Sequence, residues 1–193
     1  MDALEALLTR HTVPPAKMGP PGPDEAALRR ILEAGAAAPD HGQLRPWRFL
    51  IVRGAGLARL GELFSAFVLR QWPDASPGEV EKQRTAPLRA SVIVVVAARV
   101  EPAHPKIPEV EQIAAVAAAT QNMLLAAHAL GFAAKWATGK QAYDPGVKAG
   151  LGLVETDRLL GFLYLGSYAA EHALPPRPGL DGVVAEWPPA GVG

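Results

Sequence analysis

The sequence predicts a three-layer protein of α/β or α+β class, with a thin four-stranded sheet covered by helices on both faces. Helical and strand-like patterns alternate along most of the chain, as such an architecture requires. Residues 92–96 form a continuous apolar, β-branched run, which is typical of a strand buried on both faces. With 193 residues, 49% of them hydrophobic, and no internal repeat, we expect one domain over residues 1–193, with residues 173–193 as an extended tail.

Composition excludes several classes of protein. The 19 basic residues balance 19 acidic ones, and no basic run is longer than the pair Arg29-Arg30, so we expect no nucleic-acid partner. The chain has no cysteine, which removes disulfides, thiolate metal sites and cysteine nucleophiles. The 5 histidines show no metal-ligand spacing, so we assign no metal and expect structural roles for them.

The same reasoning bears on location. Polar residues interrupt the most apolar stretch, residues 113–132, so we expect a buried helix there and no membrane span. The first residues lack the basic and apolar regions of a signal peptide. A cysteine-free chain is compatible with a reducing compartment. We therefore expect a cytoplasmic protein that does not associate with membranes.

The amino-terminal elements are a helix and a connection. Asp2 and Glu5 are spaced as in a capping box, ahead of leucines at helical spacing, so the first helix runs to about Arg10. Residues 13–23 contain five prolines and two glycines. That composition predicts a connection without regular structure.

The next region predicts two helices around a strand. Asp24 is placed to cap the second helix, and Pro39 to end it. Residues 47–52 read as a strand, and apolar residues repeat at the helical period over residues 57–68. Residues 79–85 add a further helical turn or two.

The second half of the chain predicts the centre of the sheet. Residues 91–98 form the central strand, and residues 108–130 form the longest helix, apolar nearly all round. Residues 132–138 and 159–165 predict the last two strands, with a short helix opening at Asp144-Pro145 between them. The tail is rich in proline yet carries apolar residues, which favours docking on another subunit.

Two polar clusters in the first quarter of the chain are candidate binding sites. Arg10, His11 and Thr12 follow the first helix, where they would suit a phosphate or a polarised heteroring. A solvated helix end is the alternative, and the residues alone favour it. Residues 38–47 link the second helix to the first strand with polar groups between two prolines, so this loop is either a binding loop or an ordinary turn.

Two more clusters lie in the second half of the chain. Gln121 and Asn122 put amides inside an apolar helix, where they need hydrogen-bond partners, and residues 135–139 follow closely. Arg177 places a cation in the tail. That cation is either a phosphate ligand or an exposed charge.

Taken in chain order, these clusters resemble the FMN-dependent nitroreductase family, in particular the short, minimal NAD(P)H nitroreductases of bacteria. The resemblance extends from residue 1 to about residue 184. It rests on five segments: Arg10-His11-Thr12, residues 38–47, Ala86-Pro87 before the valine strand, residues 121–127 ending at Gly131, and residues 161–166.

The resemblance implies an α+β fold with a mostly antiparallel central sheet, and a homodimer with FMN at the subunit interface. The implied activity is hydride transfer from NADH or NADPH, through two half-reactions, to an electron-poor small molecule such as a nitroaromatic or a quinone. The alternatives are another reaction on the same fold (dehalogenation, metabolite dehydrogenation or flavin cleavage) and a non-catalytic flavin-binding protein. No side chain is assigned as catalytic, because the flavin carries the chemistry.

The resemblance also assigns cofactor-binding residues. Arg10, His11 and Thr12 would hold the phosphate side and the ring, and Arg177 would approach the phosphate. The partner chain would supply Pro39, Asp40, His41 and Gln43, and the segment near the flavin would be Ala137, Thr138 and Gly139. The chain departs from the common family pattern at His11, where a second arginine is usual, and at Asp40, Gln43 and Arg45, where Ser, Asn and Gln are common.

Overall fold

The computed structural model describes residues 1–169 and 176–187. The strands are β1 (Met18–Gly19), β2 (Trp47–Arg53), β3 (Val92–Ala98), β4 (Ala133–Ala137) and β5 (Arg158–Tyr168). All described strand pairs are antiparallel, and β5, the longest strand, pairs with β3, with β4 and, at its carboxyl end, with β1. β2 pairs with the outer side of β3. This arrangement confirms the α+β class and the antiparallel sheet.

Capping residues set the starts of several helices. The Asp24 carboxylate accepts a hydrogen bond from the Ala27 amide at 2.8 Å, as predicted, and Asp144 caps the short helix that begins at Pro145. The second helix ends three residues before Pro39. The helices are α1 (Ala3–Thr9), α2 (Glu25–Ala36), α3 (Ala55–Gln71), α4 (Pro77–Thr85), α5 (Glu109–Ala129) and α6 (Pro145–Gly150).

The side chains of β3 divide the core into its two halves. Ile93, Val95 and Ala97 pack with α3 and α6 on one face of the sheet. The residues that alternate with them, from Val92 to Ala98, pack with α2 and α5 on the other face. Every residue of this strand is buried, as its unbroken apolar run predicted. The molecule therefore has the expected three layers.

The packing of α2 against α5 explains one of the two amides in the long helix. A Cβ atom on Gly35 would lie 2.7 Å from the Met123 side chain, so any larger residue there would force that side chain to shift. At this contact the Asn122 side chain donates a hydrogen bond to the Ala34 carbonyl at 3.2 Å. The amide thus satisfies a backbone group at the end of α2.

Two sequence predictions were wrong in detail. Residues 13–23 contain regular structure: a 3-10 turn over Pro15–Lys17, and β1, which pairs with the end of β5. A strand of two residues is too short for an alternation of apolar and polar residues to be recognised in the sequence. The segment expected to add a turn or two is the nine-residue α4, because Ser76 and Glu79 form a reciprocal capping box.

Gly161 brings β5 unusually close to the end of β4. Its φ of +132° is one that side-chain-bearing residues rarely adopt, and a Cβ atom there would lie 2.5 Å from the Ala137 carbonyl oxygen. β3 accommodates the same point with a shift of register between Val96 and Ala97. The carboxyl end of β4 is thereby fixed in position.

Helix α1 has little contact with the core. Ala6 is its one buried residue, whereas Leu4 and Leu8 are 70% and 69% exposed. A seven-residue helix is marginal in water without packing partners. Among the described residues, no helix combines the length and the apolar character needed to cross a membrane.

Candidate functional site

The segment that follows α1 alternates between surface and interior. His11 and Val13 are buried, whereas Arg10 is half-buried and Thr12 is exposed. The Val13 amide donates to the Ala134 carbonyl at 3.1 Å, which fixes the segment against β4. Arg10 and Thr12 therefore share the outward side of the segment, and the ring of His11 is directed into the protein.

Two arginines meet beside this segment. The Arg177 guanidinium donates to the carbonyl oxygens of Leu8, at 3.4 Å, and of Arg10. Burial, and then the like charge of Arg177, lower the pKa of Arg10, while Tyr168 acts weakly in the opposite sense. The structure thus brings together two cations that lie 167 residues apart in the sequence.

This pair of arginines fits an anion such as the FMN phosphate. Within the described part of the chain, the buried Nε of Arg10 has no hydrogen-bond partner. A buried donor without a partner is costly, and a second cation beside it adds to the cost. A phosphate would offer acceptor oxygens and a compensating charge to both guanidinium groups.

The predicted segment 137–139 begins at the carboxyl end of β4. Ala137 lies about 10 Å along the strand from Ala134, at the usual strand rise. Thr138 and Gly139 follow, both exposed, and Gly139 has a φ of +62°. Val13 joins β4 near its amino end, so the segment 137–139 and residues 10–12 lie toward opposite ends of this strand.

The loop before β2 holds the remaining predicted residues in a strained conformation. Gly42, Gln43 and Arg45 all have positive φ, at 69°, 56° and 51°. The Asp40 carboxylate closes this turn by accepting a hydrogen bond from the Arg45 amide at 2.5 Å. Two non-glycine residues in the left-handed region cost free energy, and such strain is concentrated at functional sites.

The loop is attached to the amino end of α5. The His41 Nδ1 donates to a Glu111 carboxylate oxygen at 2.5 Å, and both side chains are substantially exposed. Pro39 and Gln43 are exposed as well. The loop thus presents polar groups and a proline ring to solvent, on an anchored backbone.

The predicted residues consequently form two groups at opposite ends of α5. His11 packs edge-on against His128, in the last turn of the helix, with 6.1 Å between ring centroids. His41 contacts Glu111 in the first turn. The 17 residue steps from Glu111 to His128 span about 26 Å of helix. One chain therefore does not bring residues 10–12 and 39–43 together.

Two cavities lie away from both groups. One, of about 600 Å³, is located where α3 meets α4, and the other, of about 490 Å³, lies between β2, α3 and α6. No predicted cofactor-binding residue lines either of them.

Sequence reasoning missed three polar residues at the arginine end of α5. Thr9, His128 and Tyr168 are linked by hydrogen bonds behind Arg10. The available signal was a histidine in the last turn of an apolar helix. Because the histidines of the chain lack metal-ligand spacing, we expected a structural role for it. A hydroxyl 119 residues before the histidine and a phenol 40 residues after it give no local signal.

Comparisons with known proteins bear on the family to which the chain belongs. The family model described as the nitroreductase family matches residues 10–167. A protein from Escherichia coli K12, provisionally named NAD(P)H nitroreductase YdjA, is 39% identical over 170 residues, covering 86% of this chain and 88% of its own length.

Two solved structures extend the comparison to the fold. A nitroreductase with bound FMN from Bacteroides fragilis has a TM-score of 0.72 and 25% identity, covering 96% of this chain and 98% of its own. A provisionally named nitroreductase in complex with FMN, from Desulfovibrio desulfuricans, has a TM-score of 0.72 and 27% identity, covering 96% of both chains.

Proposed function

Because the chain belongs to the nitroreductase family, we propose that it is an FMN-dependent oxidoreductase that takes hydride from NADH or NADPH. In the second half-reaction an electron-poor acceptor is reduced. A quinone takes up the hydride and a proton to give the hydroquinone. A nitroaromatic likewise takes up a hydride and a proton, and it loses water to give the nitroso compound. The observation that carries the proposal is the pair formed by Arg10 and Arg177, with its unpartnered buried donor.

The chain's own residues would bind and orient the cofactor. Arg10 and Arg177 would hold the phosphate by charge-assisted hydrogen bonds, with Thr12 exposed beside them. The His11 ring is turned inward, so His11 would contribute through its backbone. Ala137, Thr138 and Gly139 would border the ring system. Bound FMN supplies the redox chemistry, which removes the need for a catalytic acid or base from the protein.

The separation of the two groups of residues supports a homodimer. Pro39, Asp40, His41 and Gln43 would reach a flavin held by Arg10 only from a second chain, since about 26 Å of helix separates the groups within one chain. The exposed leucines of α1 also need a partner surface. We therefore propose two composite sites per dimer.

The described part of the tail fits the same assembly. It carries four exposed apolar side chains, and Trp187 is 90% exposed in the single chain. Residues 173–175 and 188–193 of the predicted tail lie outside the described residues. We propose that the tail docks on the partner subunit and that the whole of residues 1–193 forms one domain. A cytoplasmic location completes the proposal.

The visible spectrum of the purified protein, before and after anaerobic addition of NADH or NADPH, tests the proposed reaction. Flavin bands that bleach with either donor would support it, and oxidation of the donor with a quinone or nitroaromatic would complete the test. Bands that resist both donors would overturn the reductase activity and leave a flavin-binding protein. A colourless protein that does not take up added FMN would overturn the cofactor assignment.

A further inference from the structure

A cluster of four side chains lies behind Arg10, where the ends of α1, α5 and β5 meet. We call Thr9, His11, His128 and Tyr168 the histidine cluster. His11 is buried, with its ring centroid 6.1 Å from that of His128 and 6.0 Å from that of Tyr168. The cluster has no part in the proposed reaction, yet it adjoins the residue that would bind the cofactor phosphate.

The hydrogen bonds of Thr9 assign the tautomer of His128. The Thr9 hydroxyl donates its one proton to the Glu5 carbonyl at 2.6 Å. At 2.8 Å from His128 Nε2, the same oxygen must therefore accept, and Nε2 carries the hydrogen. His128 Nδ1 is then an acceptor, and it lies 3.4 Å from the Tyr168 hydroxyl.

The charges around His128 favour this neutral form. Burial, and then His11 and Arg10, lower the pKa of His128, while Glu5 acts in the opposite sense. Tyr168 faces the ring from β5 as a neutral phenol, since burial raises its pKa. The ring is thus a neutral bridge between Thr9 and Tyr168, placed beside two arginines.

The bridge holds a helix that has few other attachments. One residue of α1, Ala6, is buried, and the Arg10 amide donates to the Ala6 carbonyl at 3.0 Å to close the last turn. The contact between His128 and Thr9 joins that turn to α5, one residue before Arg10. Rotation of the turn would redirect the Arg10 side chain.

We propose that His128 is a positioning residue for the phosphate of FMN. The hydrogen bond from its Nε2–H to Thr9 fixes the last turn of α1, and thereby the direction in which the Arg10 side chain leaves the helix. The inference rests on the proposed function. Because it concerns the phosphate alone, it distinguishes FMN from riboflavin, which has the same ring system and no phosphate.

Flavin fluorescence titration of the full-length apoprotein with FMN and with riboflavin tests the inference. His128→Ala should weaken FMN binding about three- to tenfold, the scale of one neutral hydrogen bond, and leave riboflavin binding within about twofold of the original. His128→Gln, whose amide can still donate to Thr9, should restore most of the FMN affinity.

Thr9→Val removes the acceptor with little change of shape and guards against a misfolded His128→Ala. It should reproduce the FMN-specific loss, and the double variant should bind no more weakly than either single one. Equal losses for FMN and riboflavin, or no rescue by glutamine, would overturn the positioning role. A wild-type protein that binds neither flavin would overturn the proposed function, and the inference with it.

Discussion

The two ends of α5 differ in the charge and the exposure of the side chains around them. At the carboxyl end, two arginines lie beside a half-buried, neutral histidine bridge. At the amino end, Glu109 and Glu111 pair with Arg158 and His41 on a largely exposed surface, beside a strained loop. Each arrangement agrees with the helix dipole, which favours anionic groups at the amino end and cationic groups at the carboxyl end.

On this difference rests our proposal that each end supplies half of one site. The carboxyl end has charge for a phosphate and lacks a cover for a planar ring. The amino end has an anchored proline-containing loop and lacks a phosphate ligand. A two-fold axis that sets the α5 helices of two chains antiparallel would join unlike ends twice. The predictions below test this complementarity, from the largest expected effect to the smallest.

Removing the tail should have the largest effect, because four exposed apolar side chains lose their proposed docking surface. Truncation after Tyr168 should raise the dimer dissociation constant about a hundredfold, since one buried aromatic anchor alone is worth about 2 kcal/mol or more. Sedimentation over a range of concentrations measures it. Full-length Arg177→Ala is the matched control: it should keep the dimer and weaken FMN binding. A truncated chain with unchanged dimerisation would contradict the docking proposal.

Arg10→Ala should weaken FMN binding about ten- to a hundredfold, because it removes a charge-assisted bond worth roughly 1.5–3 kcal/mol. Fluorescence titration measures the loss. Arg29→Ala, which removes an exposed arginine paired with Glu33 on α2, should leave the affinity unchanged. Unchanged FMN affinity in a folded Arg10→Ala protein would remove Arg10 from the site.

Mixed dimers sharpen the same comparison. If each flavin takes Arg10 from one chain and the loop from the other, Arg10→Ala chains mixed with Asp40→Ala/Gln43→Ala chains should regain one tight FMN site per heterodimer. The second site of that heterodimer carries both defects. If one chain supplied both groups, mixing would restore nothing.

Gln43→Gly tests the strain at the amino end of α5. Glycine adopts positive φ without steric cost, so the free energy of unfolding should rise by up to about 1 kcal/mol, while loss of the amide side chain weakens FMN binding. Gln83→Gly, within α4, should change stability in the opposite direction by a similar amount. Urea denaturation measures both. A destabilised Gln43→Gly protein would indicate that the side chain carries contacts worth more than the strain.

Local patterns were sufficient to predict the sheet and most helices, because the apolar composition of β3 and α5 itself indicates that these elements are buried. They were also sufficient to nominate Arg10, Arg177 and the loop before β2 through a family resemblance. Local patterns were not sufficient to predict β1, because its two residues form a strand only through pairing with the end of β5. The bridge from Thr9 through His128 to Tyr168 was missed for the same reason, since it is formed by tertiary contact alone.

The smallest effect concerns pH. His128 has a lowered pKa in the folded protein, so between its folded pKa and its usual value of about 6.5 the unfolded chain binds more protons than the folded one. The free energy of unfolding should therefore fall as the pH is lowered through that window. His128→Gln cannot titrate, and it should lose less stability between pH 7.5 and pH 5.5 in urea denaturation. Other titrating groups are common to both proteins and cancel in the comparison, so equal losses would mean that His128 is not held neutral at the carboxyl end of α5.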